Sequence, residues 1–259
     1  MRALKVIFVL IVVAVLLGVG FSFWLSDKYV VPILGYHHVE YGDGPKLNTT
    51  TAEIFSRQMR YLKNHGFSVI SLDELVEGIK KKKSFPKNTV VITFDDGYED
   101  NYTFAFPILR ANGFPATIFI IAGQIDQPGH LTLEHIKEME RHGIVMGSHT
   151  VNHSYLPSLP IEEQHRQIEM SKKILEEKLG HSIDYFAYPS GGFSEPIKAM
   201  VQKAGYKGAL TTNRGYHRFN EDVYELKRVR LNSEDRWSLF LWAKLSGYYN
   251  FFRSLKDPH

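Results

Sequence analysis

Two adjacent carboxylates, Asp95 and Asp96, stand in the run Thr93-Phe94-Asp95-Asp96-Gly97. The residues before them, Thr89-Val90-Val91-Ile92, read as a buried strand. A carboxylate at such a dry strand end is costly unless it is paired or holds a cation. One Asp could bind a metal while its neighbour moves a proton. An Asp-Gly turn closing a strand would give the same letters for conformational reasons alone. The second feature is His149-Thr150-Val151-Asn152-His153, which follows the short apolar run Ile144-Val145-Met146-Gly147. Two His four apart share a helix face or converge in a tight turn. Two imidazoles and one carboxylate make a three-ligand divalent site with positions left for water and substrate. Two unrelated His in a chain with 12 of them would look the same. It is the conjunction of both motifs at strand ends that favours chemistry.

The pair TFDDG and HTVNH, in this order, resembles the polysaccharide deacetylase family, carbohydrate esterase family 4 or NodB-homology domain. The resemblance runs from about Val31 to Leu231 and is closest in motif order to the poly-N-acetylglucosamine deacetylase subgroup. It implies that Asp96, His149 and His153 ligate one divalent metal. Zinc is the expected ion, with cobalt, nickel or iron also compatible with a His/His/Asp set. It implies that Asp95 is the base that takes a proton from a metal-activated water, which then attacks an acetamide carbonyl.

The third family motif, Arg-x-Pro-Tyr-Gly, falls on Ala187-Tyr188-Pro189-Ser190-Gly191. Ser190 keeps a backbone N–H that can serve the oxyanion. Ala187 stands where the family has the Arg that pairs with the base. Arg228 or Arg230, in the last strand, could supply it from another position, or both could be barrel-exterior or solvent residues. No His lies in Leu226 to Leu231, where the family has its acid. Gly35-Tyr36-His37-His38-Val39 resembles the permuted subgroup instead, which assigns the acid to His37 and leaves His38 structural, with His217 as the fallback. Tyr98, Tyr102, Tyr188 and Trp237 are candidate sugar-stacking residues, although such aromatics are more often core.

These residues need a scaffold that gathers strand ends. After its N-terminal segment the chain alternates strand and helix. Strands are expected at Val31–Tyr36, Phe67–Ile70, Thr89–Ile92, Ala116–Ile121, Tyr185–Tyr188, Tyr206–Thr212 and Tyr224–Leu231. The apolar run ahead of His149 adds one more. Helices are expected at Thr51–Asn64, Ser71–Lys82, Glu99–Ala111, Thr132–Arg141, Ile161–Leu179, Ile197–Ala204 and Asp235–Leu245. Repeated βα units imply parallel strands with helices outside. The family fold, an α/β distorted (β/α) barrel of about seven parallel strands, fits that order. Such barrels carry their chemistry at the C-terminal strand ends, which is where His37, Asp95, Asp96 and His149 fall.

The chain has 259 residues, a net charge of +3 and no cysteine. Its charge balance suggests no nucleic-acid partner, and disulfide or thiolate chemistry is excluded. The run Lys80-Lys81-Lys82-Lys83 reads as the solvated end of a helix. Val6 to Leu25 is almost purely apolar, long enough to span a bilayer core of about 30 Å. Arg2 and Lys5 precede it, which keeps the N-terminus cytoplasmic. The run is longer than a signal h-region, and Phe21-Ser22-Phe23-Trp24-Leu25 is too bulky for a good cleavage site. We therefore expect an uncleaved anchor rather than a signal peptide. Residues 1–28 would form the cytoplasmic N-terminus, transmembrane anchor and linker. Residues 29–259 would form an extracytoplasmic catalytic domain.

The expected function is metal-dependent removal of N-acetyl groups from N-acetylhexosamine units of a cell-surface polysaccharide: poly-N-acetylglucosamine, peptidoglycan or a chitin-like polymer. The alternatives are a catalytically inactive carbohydrate-binding wall protein that retains the fold, and an amide hydrolase acting on a small molecule.

Overall fold

The computed structural model describes residues 2–26, 28–42, 48–236 and 238–259. Its centre is a sheet of parallel strands that curls into a nearly closed barrel. The strands follow one another around it in the order Ile33–Tyr36, Thr89–Phe94, Ala116–Ile120, Ile144–Ser148, Tyr185–Ala187 and Gly208–Thr211. The short strand Ser68–Val69 adds to the start of Thr89–Phe94.

Closure depends on the segment 226–230, which is broken in two at Arg228. Its first half, Leu226–Lys227, pairs with Gly208–Thr211 (Leu226 opposite Leu210). Its second half, Val229–Arg230, pairs with the first strand (Leu34 opposite Val229). Counting 226–230 as one interrupted strand, seven strands ring the barrel among the described residues, in line with the expected number. At the break the Arg228 N–H donates to the Thr212 carbonyl at 2.9 Å.

Side-chain alternation sorts the core into two layers. Ile33, Val91, Phe119, Tyr185, Leu210 and Leu226 pack together as one cluster inside the barrel. Their sequence neighbours, such as Leu34, Ile92, Ile118 and Phe186, pack outward with Phe55, Leu109, Ile136, Ile168 and Val201 of the surrounding helices. The same period-2 rule continues past the strand ends. Val91, Thr93 and Asp95 share the inner face, and so do Leu226 and Arg228. Asp96 leaves the extended backbone for a left-handed conformation, φ 72°.

The helices lie close to expectation. Thr51, Ser71, Thr132 and Ser194 each cap a helix by accepting a backbone N–H, and Gly180 ends the 19-residue Ile161–Leu179 helix in a left-handed turn with φ 80°. Most ends shift by one or two residues, and three differences are larger or bear on the site. The second barrel strand runs on to Phe94, so Asp95 follows it directly. The helix expected from Glu99 starts as a π-helical turn, Asn101–Ala105, before an α-helix over Phe106–Asn112. The helix expected at Asp235–Leu245 is preceded by a separate 3-10 turn, Ser233–Arg236, spans Ser238–Leu245, and is not the last, since a short helix Tyr249–Phe252 follows.

Arg2–Ser26 is one helix. Within it Lys5–Ser26 is long and apolar enough to cross a membrane, and none of that stretch is buried against the barrel. A signal sequence would have the same character.

Candidate active site

The C-terminal strand ends bring His37, Asp95, Asp96, His149 and His153 to one mouth of the barrel. Asp96, His149 and His153 offer ligand atoms that all lie within 4.8 Å of one another. His149 Nε2 is 3.6 Å and His153 Nε2 is 3.4 Å from Asp96 Oδ1. That oxygen is buried and has no hydrogen-bond partner among the described residues. A buried carboxylate oxygen left in this way is a standing cost unless a cation meets it.

The two imidazoles reach the same point by different means. His149 is buried, and its Nδ1 donates to the Ala187 carbonyl at 2.7 Å. A carbonyl can only accept, so Nδ1 holds the proton and Nε2 presents its lone pair to the cluster. Burial also pushes the imidazole below its ordinary value, against the pull of Asp95 and Asp96, which favours the neutral form that ligates. His153 arrives through a tight turn. Thr150 and His153 both adopt left-handed backbone, with φ 66° and 62°. Thr150 Oγ1 accepts from the His153 N–H, and Gln167 Oε1 accepts from the N–H groups of Val151 and Asn152. Asp96 and Ser190 are left-handed too, with φ 72° and 54°. Non-glycine residues held in that region gather where geometry serves chemistry.

The donor set of two imidazoles and one carboxylate, with an orphaned oxygen between them, fits a divalent transition metal such as zinc.

Asp95 sits beside this cluster with a different partner. The Arg228 guanidinium donates to both of its oxygens, Nη1 to Oδ1 at 2.6 Å and Nη2 to Oδ2 at 2.7 Å. Both side chains are buried. Arg228 Nε donates to the Thr211 carbonyl, and its plane faces the Phe119 ring at 5.6 Å. Burial by itself would raise the Asp95 carboxyl. Arg228, with help from His149 and His37, overrides it and holds the group well below the usual carboxylate range. Arg228, not Arg230, pairs with Asp95, although the charge of Arg230 is felt at His37. Arg230 is exposed and donates to Asn48 Oδ1.

His37 Nε2 lies 3.8 Å from Asp95 Oδ2. Burial pushes its imidazole down, opposed by the two carboxylates. His38 turns away, as expected. Its Nδ1 donates to Asp100 Oδ2 at 2.6 Å and its ring stacks on Tyr98 with centroids 3.5 Å apart. His217 lies on an exposed loop, with its backbone N–H donating to Glu225 Oε1.

Ser190 lies in the 3-10 turn Pro189–Gly191, immediately after the strand whose Ala187 carbonyl holds His149. The turn is tight: a Cβ on Gly191 would come within 2.4 Å of Thr212 Oγ1. The aromatic candidates divide. Tyr188 is fully buried, its hydroxyl donating to the Tyr224 carbonyl, so it is core and cannot stack on a sugar. Tyr102 lies outside the mouth, stacked on His135 and bonded to Glu138. Tyr98 stays at the mouth, where burial and the neighbouring Asp96 push its phenol up to about 12. Trp237 lies outside the described residues.

Comparison with known proteins agrees with this architecture. Residues 82–209 match the family model described as polysaccharide deacetylase. The chain is 34% identical over 213 residues to the Bacillus subtilis (strain 168) protein YxkH, a polysaccharide deacetylase by assignment, covering 82% of this chain and 75% of that one. It is 29% identical over 194 residues to a Staphylococcus aureus (strain MSSA476) poly-beta-1,6-N-acetyl-D-glucosamine N-deacetylase, covering 70% and 67%. Among solved structures, the Streptococcus pyogenes deacetylase PplD in complex with acetate superposes with a TM-score of 0.73 at 28% identity, covering 78% of this chain and 92% of that one. The chain belongs to the polysaccharide deacetylase family.

Proposed function

We propose that this chain is a metal-dependent N-deacetylase acting on the N-acetylhexosamine units of a cell-surface polysaccharide, with poly-β-1,6-N-acetylglucosamine the first substrate to test. The observation that carries the reading is the juxtaposition at one barrel mouth of two sets of groups. One is a three-ligand cluster with an orphaned carboxylate oxygen. The other is a carboxylate clamped by a guanidinium. The substrate follows from the S. aureus relative named for that polymer.

Asp96, His149 and His153 would hold the metal. When bound, a divalent ion there supplies Lewis acidity, making water acidic and polarising the acetamide carbonyl. The remaining work falls to this chain. Asp95, kept ionised by Arg228, accepts the proton of the attacking water. Arg228 also fixes the direction of both carboxylate oxygens, as a bidentate guanidinium does. The backbone N–H of Ser190 serves the developing oxyanion. His37 donates the proton that lets the amine leave, and the products are acetate and the free amino sugar. Placing the domain outside the cytoplasm on an uncleaved N-terminal helix would bring the mouth to a fixed surface polymer.

The inactive wall-binding alternative drew its strength from Ala187, where the family Arg is missing. Arg228 supplies a guanidinium to Asp95 from another strand, and that reason lapses. The deciding assay is acetate release from poly-β-1,6-N-acetylglucosamine, peptidoglycan and acetylated chitooligosaccharide, each with and without chelator. Chelator-sensitive release from the first polymer is expected. Release that chelator leaves untouched after metal is removed, or none from any polymer with metal replete, would sink the reading.

A further inference from the structure

His37 poses a positioning problem. Its imidazole Nδ1 is buried and has no partner among the described residues, and its Nε2 stands 3.8 Å from Asp95, beyond hydrogen-bond reach. His149 has its ring fixed by a carbonyl on the far nitrogen; His37 has no such contact. The place of its ring is therefore set by the backbone that carries it.

That backbone pairs over His38–Glu40 with Thr49–Thr51, and it is held as well by the loop that follows the neighbouring strand Thr89–Phe94. Asn101 Nδ2 donates to the His37 carbonyl at 2.8 Å. Asp100 Oδ2 accepts from the His38 imidazole at 2.6 Å, and Asp100 Oδ1 accepts from the Val39 N–H at 3.1 Å. Asn101 Nδ2 also donates to Asp100 Oδ1 at 2.8 Å, which ties the two together. Three consecutive residues, His37, His38 and Val39, are thus bonded to two consecutive residues five and six places after Asp95. Asn101 is fully buried and opens the π-helical turn Asn101–Ala105. Such turns recur at functional sites. The stacking of His38 on Tyr98 braces the same joint.

We propose that Asp100 and Asn101 are positioning residues that hold His37 over Asp95, so that the segment Asp95–Asn101 carries both the base and the clamp for its partner. This rests on the reading of His37 as the acid. A general acid must lie within reach of the departing nitrogen, and a displacement of about 1 Å can cost about 10²-fold in rate.

The test uses the full chain with metal bound. Asp100→Ala and Asn101→Ala should each lower kcat about 10- to 100-fold, with KM within about twofold of the parent and metal stoichiometry unchanged. Asp100→Asn, which keeps an acceptor for the Val39 N–H, should restore most of kcat. On a His37→Ala background neither change should cost more, because each acts through His37. Asn101 is buried, so if Asn101→Ala fails to fold, the half-buried Asp100 position decides. An inactive His37→Ala beside an Asp100→Ala of full kcat overturns the clamp. Losses that multiply on the His37→Ala background do the same. If His37→Ala keeps full activity, the acid assignment has failed and takes the clamp with it.

Discussion

Arg228 grips both oxygens of Asp95, at 2.6 and 2.7 Å, from the break in the strand that closes the barrel. The interruption separates two half-strands with different partners, and at that point the side chain turns inward. Barrel closure and control of the proposed base are thus vested in one residue.

Removing it should show in two ways. Arg228→Ala leaves a buried carboxylate uncompensated, which typically costs about 3–5 kcal/mol of stability. Losing the guanidinium removes the largest influence that lowers the Asp95 pKa, which should rise. A base must be ionised to work, so the acid limb of the rate profile should move to higher pH. Arg228→Lys keeps the charge without the fork and should shift the limb less. Thermal unfolding and a pH–rate series measure the two effects; an unmoved acid limb in Arg228→Ala would count against Asp95 as the base.

The pairing also links folding to pH. The Asp95 carboxyl is held below its unfolded value, so its stabilisation is complete above about pH 4, the ordinary carboxylate value. It is lost as pH falls through the depressed folded value. Acid unfolding curves of the parent and of Asp95→Asn should diverge above about pH 4 and converge as acid is added. Curves that stay parallel would mean that the ion pair contributes nothing.

Metal dependence is separable from base chemistry. His149→Ala and His153→Ala should lower metal stoichiometry and activity together, because each removes a ligand. Asp95→Asn should retain the metal and lose about 10²- to 10⁴-fold in rate, the usual range for a general base. Metal content by atomic absorption beside kcat for each variant resolves the two. A His149→Ala protein with one tightly bound ion per chain refutes the ligand assignment.

For the acid, His37→Ala should keep its metal, lose most activity and lose the high-pH limb of the profile, since a His acid works only while protonated. His217→Ala should be close to neutral, because that residue lies on an exposed loop. The reverse pattern would return the role to His217.

The anchor is tested in membranes. Lys5–Ser26 predicts that the full chain stays in the membrane fraction through alkaline carbonate washing, with the barrel open to protease from outside. A mature soluble form starting near Ser26 would identify a cleaved signal instead.

Much of this molecule is local and so was legible in the letters. Alternating apolar runs and capped helices predict a parallel barrel, because side-chain period and capping chemistry act over a few residues. Asp95 and Asp96 part within one residue, because Asp96 takes left-handed backbone just past the strand end. The His-x-x-x-His turn is equally short-range. What needed the tertiary structure was every partnership across the barrel. Arg228 and Arg230 look alike in sequence. One faces inward and clamps Asp95, 133 residues away, while its neighbour in the second half-strand reaches out to Asn48. Tyr188 has the composition of a sugar platform, and barrel packing makes it core. The joint between His37–Val39 and Asp100–Asn101 had no signal in spacing, because it joins residues 61 to 64 positions apart in the chain, at the ends of two strands that meet only by pairing in the sheet. Alternation along one strand dictates which way a residue faces; which residue it meets depends on the curvature and register of the whole sheet.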